Sequence, residues 1–149
     1  MSNINFEEEQ IITTPMFLYM DYINLRFNKF LKKYHPEVTP RDFTYLVSIK
    51  NNPNTSQKEL SQLLFVSESN VTQIIKRLEK NGFVSREVSK ENKSKKVLNL
   101  TQKGDNTVSS ILKIITEWEG EFEENYNPGE IKLVKRVLYD YADKSIDYE

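Results

Sequence analysis

Between Thr55 and Gly104 the chain carries two short helical patterns joined by a tight turn, then two strand-like runs around a lysine-rich tip. No other stretch restricts the fold so closely. Ser56-Gln57-Lys58-Glu59 reads as a capping box, in which serine and glutamate satisfy each other's backbone amides at a helix start. Leu60, Leu63 and Leu64 follow as a buried stripe, and Phe65-Val66 makes the turn. Ser67 then caps a second helix whose apolar positions are Val71, Ile74, Ile75 and Leu78, close to helical period. Asn81-Gly82 ends it at a left-handed C-cap. Phe83–Val88 and Lys95–Leu100 have strand composition, and the loop between them is polar and rich in turn formers.

That order is a winged helix-turn-helix, which places one helix in a DNA groove and a loop beside it. The charge is uneven in the same place. Residues 55–104 hold ten Lys/Arg against five Asp/Glu, a net of +5, in a chain whose formal charge is −1. A basic island in an otherwise acidic chain points to a polyanion-binding face. The outward side of the second helix presents Ser69, Asn70, Thr72, Gln73, Lys76 and Arg77, after the capping Ser67. These groups bond phosphates and base edges. Lys90, Lys93, Lys95 and Lys96 extend the set onto the wing. Lysines alone would more often form a solvated face; their placement on a recognition helix and a wing favours DNA contact. The alternative is a winged-helix protein-interaction module without sequence-specific DNA binding.

The flanks read as helices. Thr14-Pro15 is an N-cap and N1 pair, followed by Met16, Met20, Ile23, Phe27, Phe30, Leu31 and Tyr34 at helical period, with a stop before His35-Pro36. Thr39-Pro40 starts a helix with Phe43, Leu46, Val47 and Ile49 inward, ended by Asn51-Asn52-Pro53-Asn54. Thr101 caps another, with a stripe of Val108, Ile111, Leu112, Ile115, Trp118 and Phe122. Asn127-Pro128-Gly129-Glu130 opens the last, faced by Ile131, Val134, Leu138 and Tyr141. The first and the last two helices carry more apolar edge than one small domain covers, which predicts a homodimer. Ile111, Ile115, Trp118, Val134 and Leu138 are its candidate dimerisation residues.

Other function classes find little support. The chain has no cysteine, one histidine and four glycines, so thiolate metal sites and a phosphate-cradling glycine loop are lacking. His35 has no evident ligand set around it. The glutamates at Glu117, Glu119 and Glu121 read as solvated helix charge. No nucleophile, base and orienting group combine, so the expectation is no enzyme, no metal and no cofactor. The apolar runs are far shorter than the roughly 20 residues needed to cross a bilayer. Met1 to Gln10 is polar and acidic, unlike a signal peptide. A cytoplasmic protein is expected.

Several segments carry a more specific likeness. Leu60-Ser61, then Val66-Ser67-Glu68-Ser69-Asn70-Val71-Thr72, then Leu78-Glu79-Lys80-Asn81-Gly82-Phe83-Val84-Ser85-Arg86, then Leu100-Thr101-Gln102-Lys103-Gly104 occur in this order. In that order and spacing, the chain resembles the MarR family of transcriptional regulators over nearly its whole length. The last two segments are similar to the family's LEKxGxVxR and LTxxG signatures. The resemblance implies a mainly α fold with a small β-wing: a winged helix-turn-helix over 39–104 within one domain, 1–149, with dimerisation helices at 11–35 and 105–146. It implies a sequence-specific, double-stranded-DNA-binding regulator, a homodimeric repressor on a pseudo-palindromic operator. It further implies release by a small, often aromatic or anionic effector, with Met16, Tyr19, Met20 and Phe27 as candidate lining of a ligand pocket. Plain core or dimer packing competes for those four. One departure stands out. The family's wing tip carries an Asp-Arg-Arg-like run where this chain has Asn92, Lys93 and Ser94. Asn92 forms no ion pair, and lysine is a flexible point charge where arginine is a rigid fork. A looser, less discriminating wing is the expectation.

Overall fold

The computed structural model describes residues 4–144. Its elements run α1 (Glu8–Thr13), α2 (Met16–Tyr34), α3 (Pro40–Asn51), α4 (Gln57–Leu64), α5 (Glu68–Lys80), β1 (Val84–Val88), β2 (Lys96–Leu100), α6 (Gln102–Glu123) and α7 (Pro128–Asp143). Helices with one small sheet make the fold mainly α with a β-wing. The chain divides into two compact units, 1–108 and 109–149, with the boundary inside α6. Residues 145 and 146 of the expected C-terminal dimerisation segment lie outside the described residues.

The caps explain most helix starts. Thr39 Oγ1 accepts from Asp42 N at 3.1 Å, and Asp42 returns the bond to Thr39 N at 2.9 Å. Ser56 and Glu59 do the same for α4, and Asn127 and Glu130 for α7. Each box satisfies amides that a helix start leaves without partners. The first helix departs from expectation. Pro15, not Thr14, is the N-cap of the long helix; Glu7 N donates to the Gln10 side chain at 2.9 Å, and a separate short helix forms about two turns earlier. Thr14 instead closes α1, its hydroxyl donating to Gln10 O at 2.6 Å, and α2 begins at Met16 after Pro15.

The core of the first unit lies among α2–α5 and the hairpin. Leu31, Leu46, Ile49, Leu60, Val71, Ile75, Leu78, Phe83 and Leu98 are buried there. All four apolar positions expected on the face of α5 are buried. Leu63 is not part of the α4 stripe: it is 50% exposed, while Ser61 is buried and donates to Lys58 O at 2.7 Å. A helix of eight residues has room for only a narrow inward face, and Ser61 shares it with Leu60. Phe65 turns the chain between α4 and α5 with φ at 55°, in the left-handed region that a bulky residue rarely adopts.

β1 and β2 pair antiparallel, Val84 opposite Leu100 and Val88 opposite Lys96. A third rung joins them: Leu98 N donates to Thr55 O at 2.7 Å. Asn99 Nδ2 donates to Asn54 Oδ1 at 2.9 Å, and Asn54 N donates to Asn99 Oδ1 at 2.9 Å. The segment entering α4 is thereby hydrogen-bonded to the wing.

In the second unit, α7 buries no residue. The expected stripes on α2 and α6 are covered only in part. Leu31, Val108 and Ile111 are buried, whereas Met16, Ile23, Tyr34, Trp118 and Phe122 are exposed. Among the described residues no helix is long and apolar enough to cross a membrane.

Candidate nucleic-acid interface

The recognition helix is α5. Ser67 Oγ accepts from Asn70 N at 3.2 Å and so fixes its first turn. Burial of Val71, Ile74, Ile75 and Leu78 then dictates which side faces out. Ser69, Gln73 and Lys76 are exposed on that side and Asn70 is half-buried. Thr72 is engaged within the fold. Its hydroxyl lies 2.9 Å from both Gln57 Oε1 and Glu68 O, which ties α5 to α4.

Arg77 is also engaged. Its guanidinium straddles the Asp42 carboxylate, Nη1 at 2.7 Å from Oδ2 and Nη2 bonded to Oδ1. Asp42 is fully buried while the Arg77 side chain is 44% exposed. Burial alone would raise the Asp42 pKa, but the hydrogen bonds from Arg77 and Thr39 outweigh it and hold the carboxyl below its usual range.

Lys95, expected among the DNA contacts, points elsewhere. Its Nζ donates to Glu59 Oε1 at 2.8 Å and links the base of the wing loop to the start of α4. The Lys95 hydrogen bond, followed by the Ser56 amide, holds Glu59 down to about 2. Among the described residues, no ion pair engages Lys76, Lys90, Lys93 or Lys96. Of the expected DNA contacts, these four lysines, Asn70 and Gln73 have no side-chain partner among the described residues, while Ser69 Oγ lies 3.2 Å from Ser67 Oγ.

Several known proteins are similar to this chain. The MarR family model matches residues 38–96, which span the interval from α3 into β2. The HTH-type transcriptional regulator BilQ of Clostridioides difficile is 28% identical over 110 residues, 73% of either chain. The HTH-type transcriptional regulator SarZ of Staphylococcus aureus is 24% identical over 123 residues, 83% of this chain and 80% of SarZ. Over α3 to the start of β2 the chain is similar to the MarR family, the family of the matching model. The proteins it resembles are winged-helix transcription regulators and not enzymes. A crystal structure of Streptococcus pneumoniae FabT in complex with DNA matches in fold, with a TM-score of 0.78 at 17% identity, over 91% of this chain and 95% of that one.

Local side-chain hydrogen bonds close the wing tip around Asn92 and Ser89. Asn92 Oδ1 accepts from Ser94 N at 3.0 Å and from Ser94 Oγ at 2.6 Å. Ser89 Oγ accepts from the amides of Glu91 and Asn92, both at 3.3 Å, and Ser89 N donates to Lys95 O at 2.7 Å. An Asx turn does locally what an ion pair would do at longer range. Sequence reasoning does not single out Asp42, Gln57 or Glu59 for this surface, although the capping box makes Glu59 legible as a helix-start residue.

Ile111 is fully buried within the chain and offers no surface to a second copy, which removes it from the dimerisation set. Ile115 is half-buried, and Trp118, Val134 and Leu138 are exposed. Met16 is exposed, and Tyr19, Met20 and Phe27 are half-buried. Tyr19 donates its hydroxyl to Ile11 O at 2.9 Å, and Phe27 meets Phe43 edge-on with centroids 5.3 Å apart. Both rings thus have packing roles inside the first unit.

Proposed function

We propose that this protein is a MarR-family regulator, a homodimeric repressor that reads a pseudo-palindromic double-stranded operator. One observation carries the reading: Ser69, Asn70, Gln73 and Lys76 share the outward face of α5, while Lys90, Lys93 and Lys96 stand unpaired on the wing. Amides suit base edges and lysines suit phosphates. Segment 39–104 would carry the DNA contacts. Segments 11–35 and 105–146 would hold the second copy, because Phe17, Ile23, Trp118, Leu133 and Leu138 leave large apolar side chains exposed. Two recognition helices roughly 34–36 Å apart would then enter successive major grooves. FabT, similar in fold, was solved with DNA. Occupancy of a promoter by such a dimer would block polymerase. Release by a small aromatic or anionic effector, acting in the cytoplasm beside Met16, Tyr19, Met20 and Phe27, completes the proposal and rests on family resemblance.

Selection from a random duplex pool tests the central claim. A pseudo-palindromic consensus with half-sites about one helical turn apart is expected. Recovery of no enriched sequence would favour the protein-interaction alternative. Sedimentation at micromolar concentration is expected to give twice the mass of one chain. A folded monomer that binds the full palindrome tightly would remove the dimer from the proposal.

Reading and anchoring are expected to separate by mutation. Gln73→Ala relaxes preference at one base pair per half-site and costs about 1–3 kcal/mol on the best site. Lys93→Ala weakens all sequences nearly alike and shallows the salt slope by about one unit for each phosphate left without its lysine. Binding of each variant to operator and to scrambled DNA makes the comparison. The reverse pattern would mean that the wing reads sequence and α5 anchors.

A further inference from the structure

The recognition helix has three side-chain ties to other elements: Glu79 to Arg86 of β1, and two that stand on either side of Gln73. Near its start, Thr72 meets Gln57 of α4. In its last turn, Arg77 meets Asp42 of α3. Asn70 precedes the first tie and Gln73 lies between the two. A helix packed only by apolar contacts can slide or roll by small amounts at little cost; directional hydrogen bonds at separate points oppose both motions.

The Arg77 tie has an electrostatic consequence. Asp42 sits in the first turn of α3 with both oxygens occupied: Oδ1 accepts from Arg77, and Oδ2 accepts from Arg77 and from Thr39 N. Its side chain is 0% exposed. A guanidinium held against a carboxylate in this two-pronged way is a neutral unit to a distant phosphate. Lys76, its neighbour in sequence, is exposed and has no such partner. Counterion release follows the cationic charge placed on phosphates, so the two residues should differ in that measure.

We propose that Asp42 is a positioning residue for DNA recognition: it holds Arg77 as a brace between α3 and α5 and cancels the charge that Arg77 would otherwise bring to DNA. This rests on the DNA-binding reading above. It makes Arg77 a structural member of the recognition helix rather than one of its phosphate contacts, and it leaves Lys76 as the cation of that helix turn.

The test uses the full-length protein and its selected operator, with affinity measured by fluorescence anisotropy between 50 and 200 mM KCl. Arg77→Gln alone strands a buried carboxylate and risks unfolding. The informative variants are therefore Asp42→Asn/Arg77→Gln, which keeps a neutral hydrogen-bonding pair, and Asp42→Asn, which frees the cation. Lys76→Gln is the yardstick. The double variant is expected to keep the wild-type salt slope. Lys76→Gln is expected to shallow it by about 1.8 units per dimer, about a tenfold smaller loss of affinity across that salt range. Asp42→Asn is expected to steepen the slope, the opposite sign. A double variant that shallows the slope as much as Lys76→Gln does would make Arg77 a phosphate contact and overturn the proposal. So would an unchanged slope in Asp42→Asn. The brace is read separately, in thermal unfolding without DNA, where each single variant is expected to lower the melting temperature more than the double variant does. Singles no worse than the double would overturn the brace. A wild-type protein that binds no duplex would overturn the DNA reading and the charge role with it, while leaving the unfolding result to judge the brace.

Discussion

Operator affinity is expected to fall by about 10⁴ between 50 and 200 mM salt. The size follows from which cations remain unengaged. Lys76, Lys90, Lys93 and Lys96 have no ion-pair partner among the described residues, whereas Arg77 is bound to Asp42 and Lys95 to Glu59. A dimer would then neutralise about eight phosphates, and a slope near 0.9 per phosphate gives about seven. Had all six basic side chains expected as DNA contacts reached phosphates, the slope would approach about eleven. The measurement therefore gives the number of phosphates neutralised as well as detecting binding. A slope near seven supports the partition between engaged and unengaged cations. A slope near eleven would mean that Arg77 and Lys95 leave their carboxylates when DNA binds. An affinity indifferent to salt would remove phosphate neutralisation altogether and return the protein-interaction alternative.

Gly104→Ala is expected to destabilise the fold by about 3 kcal/mol or more, at the upper end for overpacking. Gly104 is buried in the first turn of α6. A Cβ there would lie 2.1 Å from the Phe83 carbonyl oxygen and 3.0 Å from its carbon. These are backbone atoms and have no rotamer to yield. The same carbonyl accepts from Thr101 N at 3.0 Å, and the Phe83 side chain is 1% exposed. Relief would require α6 to move away from the hairpin start, breaking that bond. Gly120 supplies the control, because a Cβ there meets nothing within 4 Å. Gly120→Ala should be neutral or stabilise by up to about 1 kcal/mol, from helix propensity alone. Chemical unfolding of both variants makes the comparison. A Gly104→Ala protein as stable as Gly120→Ala would contradict the close approach.

The sequence by itself determined the element order, because its signals are local. A cap bonds to an amide three residues away, and an apolar face repeats within one or two turns. Hence Ser56, Ser67 and Asn127 mark helix starts at the right places, and Val71, Ile74, Ile75 and Leu78 mark the inward face of α5. The same locality left one short helix unread. Thr14-Pro15 does mark the start of the long helix to within one residue, but the Glu7 and Gln10 box about two turns earlier opens a separate short helix ahead of it. The recognition helix and wing, and with them the family resemblance, are legible for the same reason.

What only the tertiary structure decided is which polar groups on that surface already have partners. Arg77 and Asp42 are 35 residues apart, and Lys95 and Glu59 are 36. No periodicity or cap relates such pairs; they meet because α3 packs near α5 and the wing returns to the start of α4. A basic residue on an outward helix face looks alike in sequence whether a carboxylate or solvent awaits it. Burial works the same way. Ile111 and Trp118 belong to one apolar stripe, yet one is fully buried and the other 49% exposed, because a stripe gives a direction and not the extent of what covers it. Gly104 is visible in sequence as part of a signature, but the reason for it, a carbonyl 2.1 Å from where a Cβ would stand, exists only once residue 83 and residue 104 are folded together.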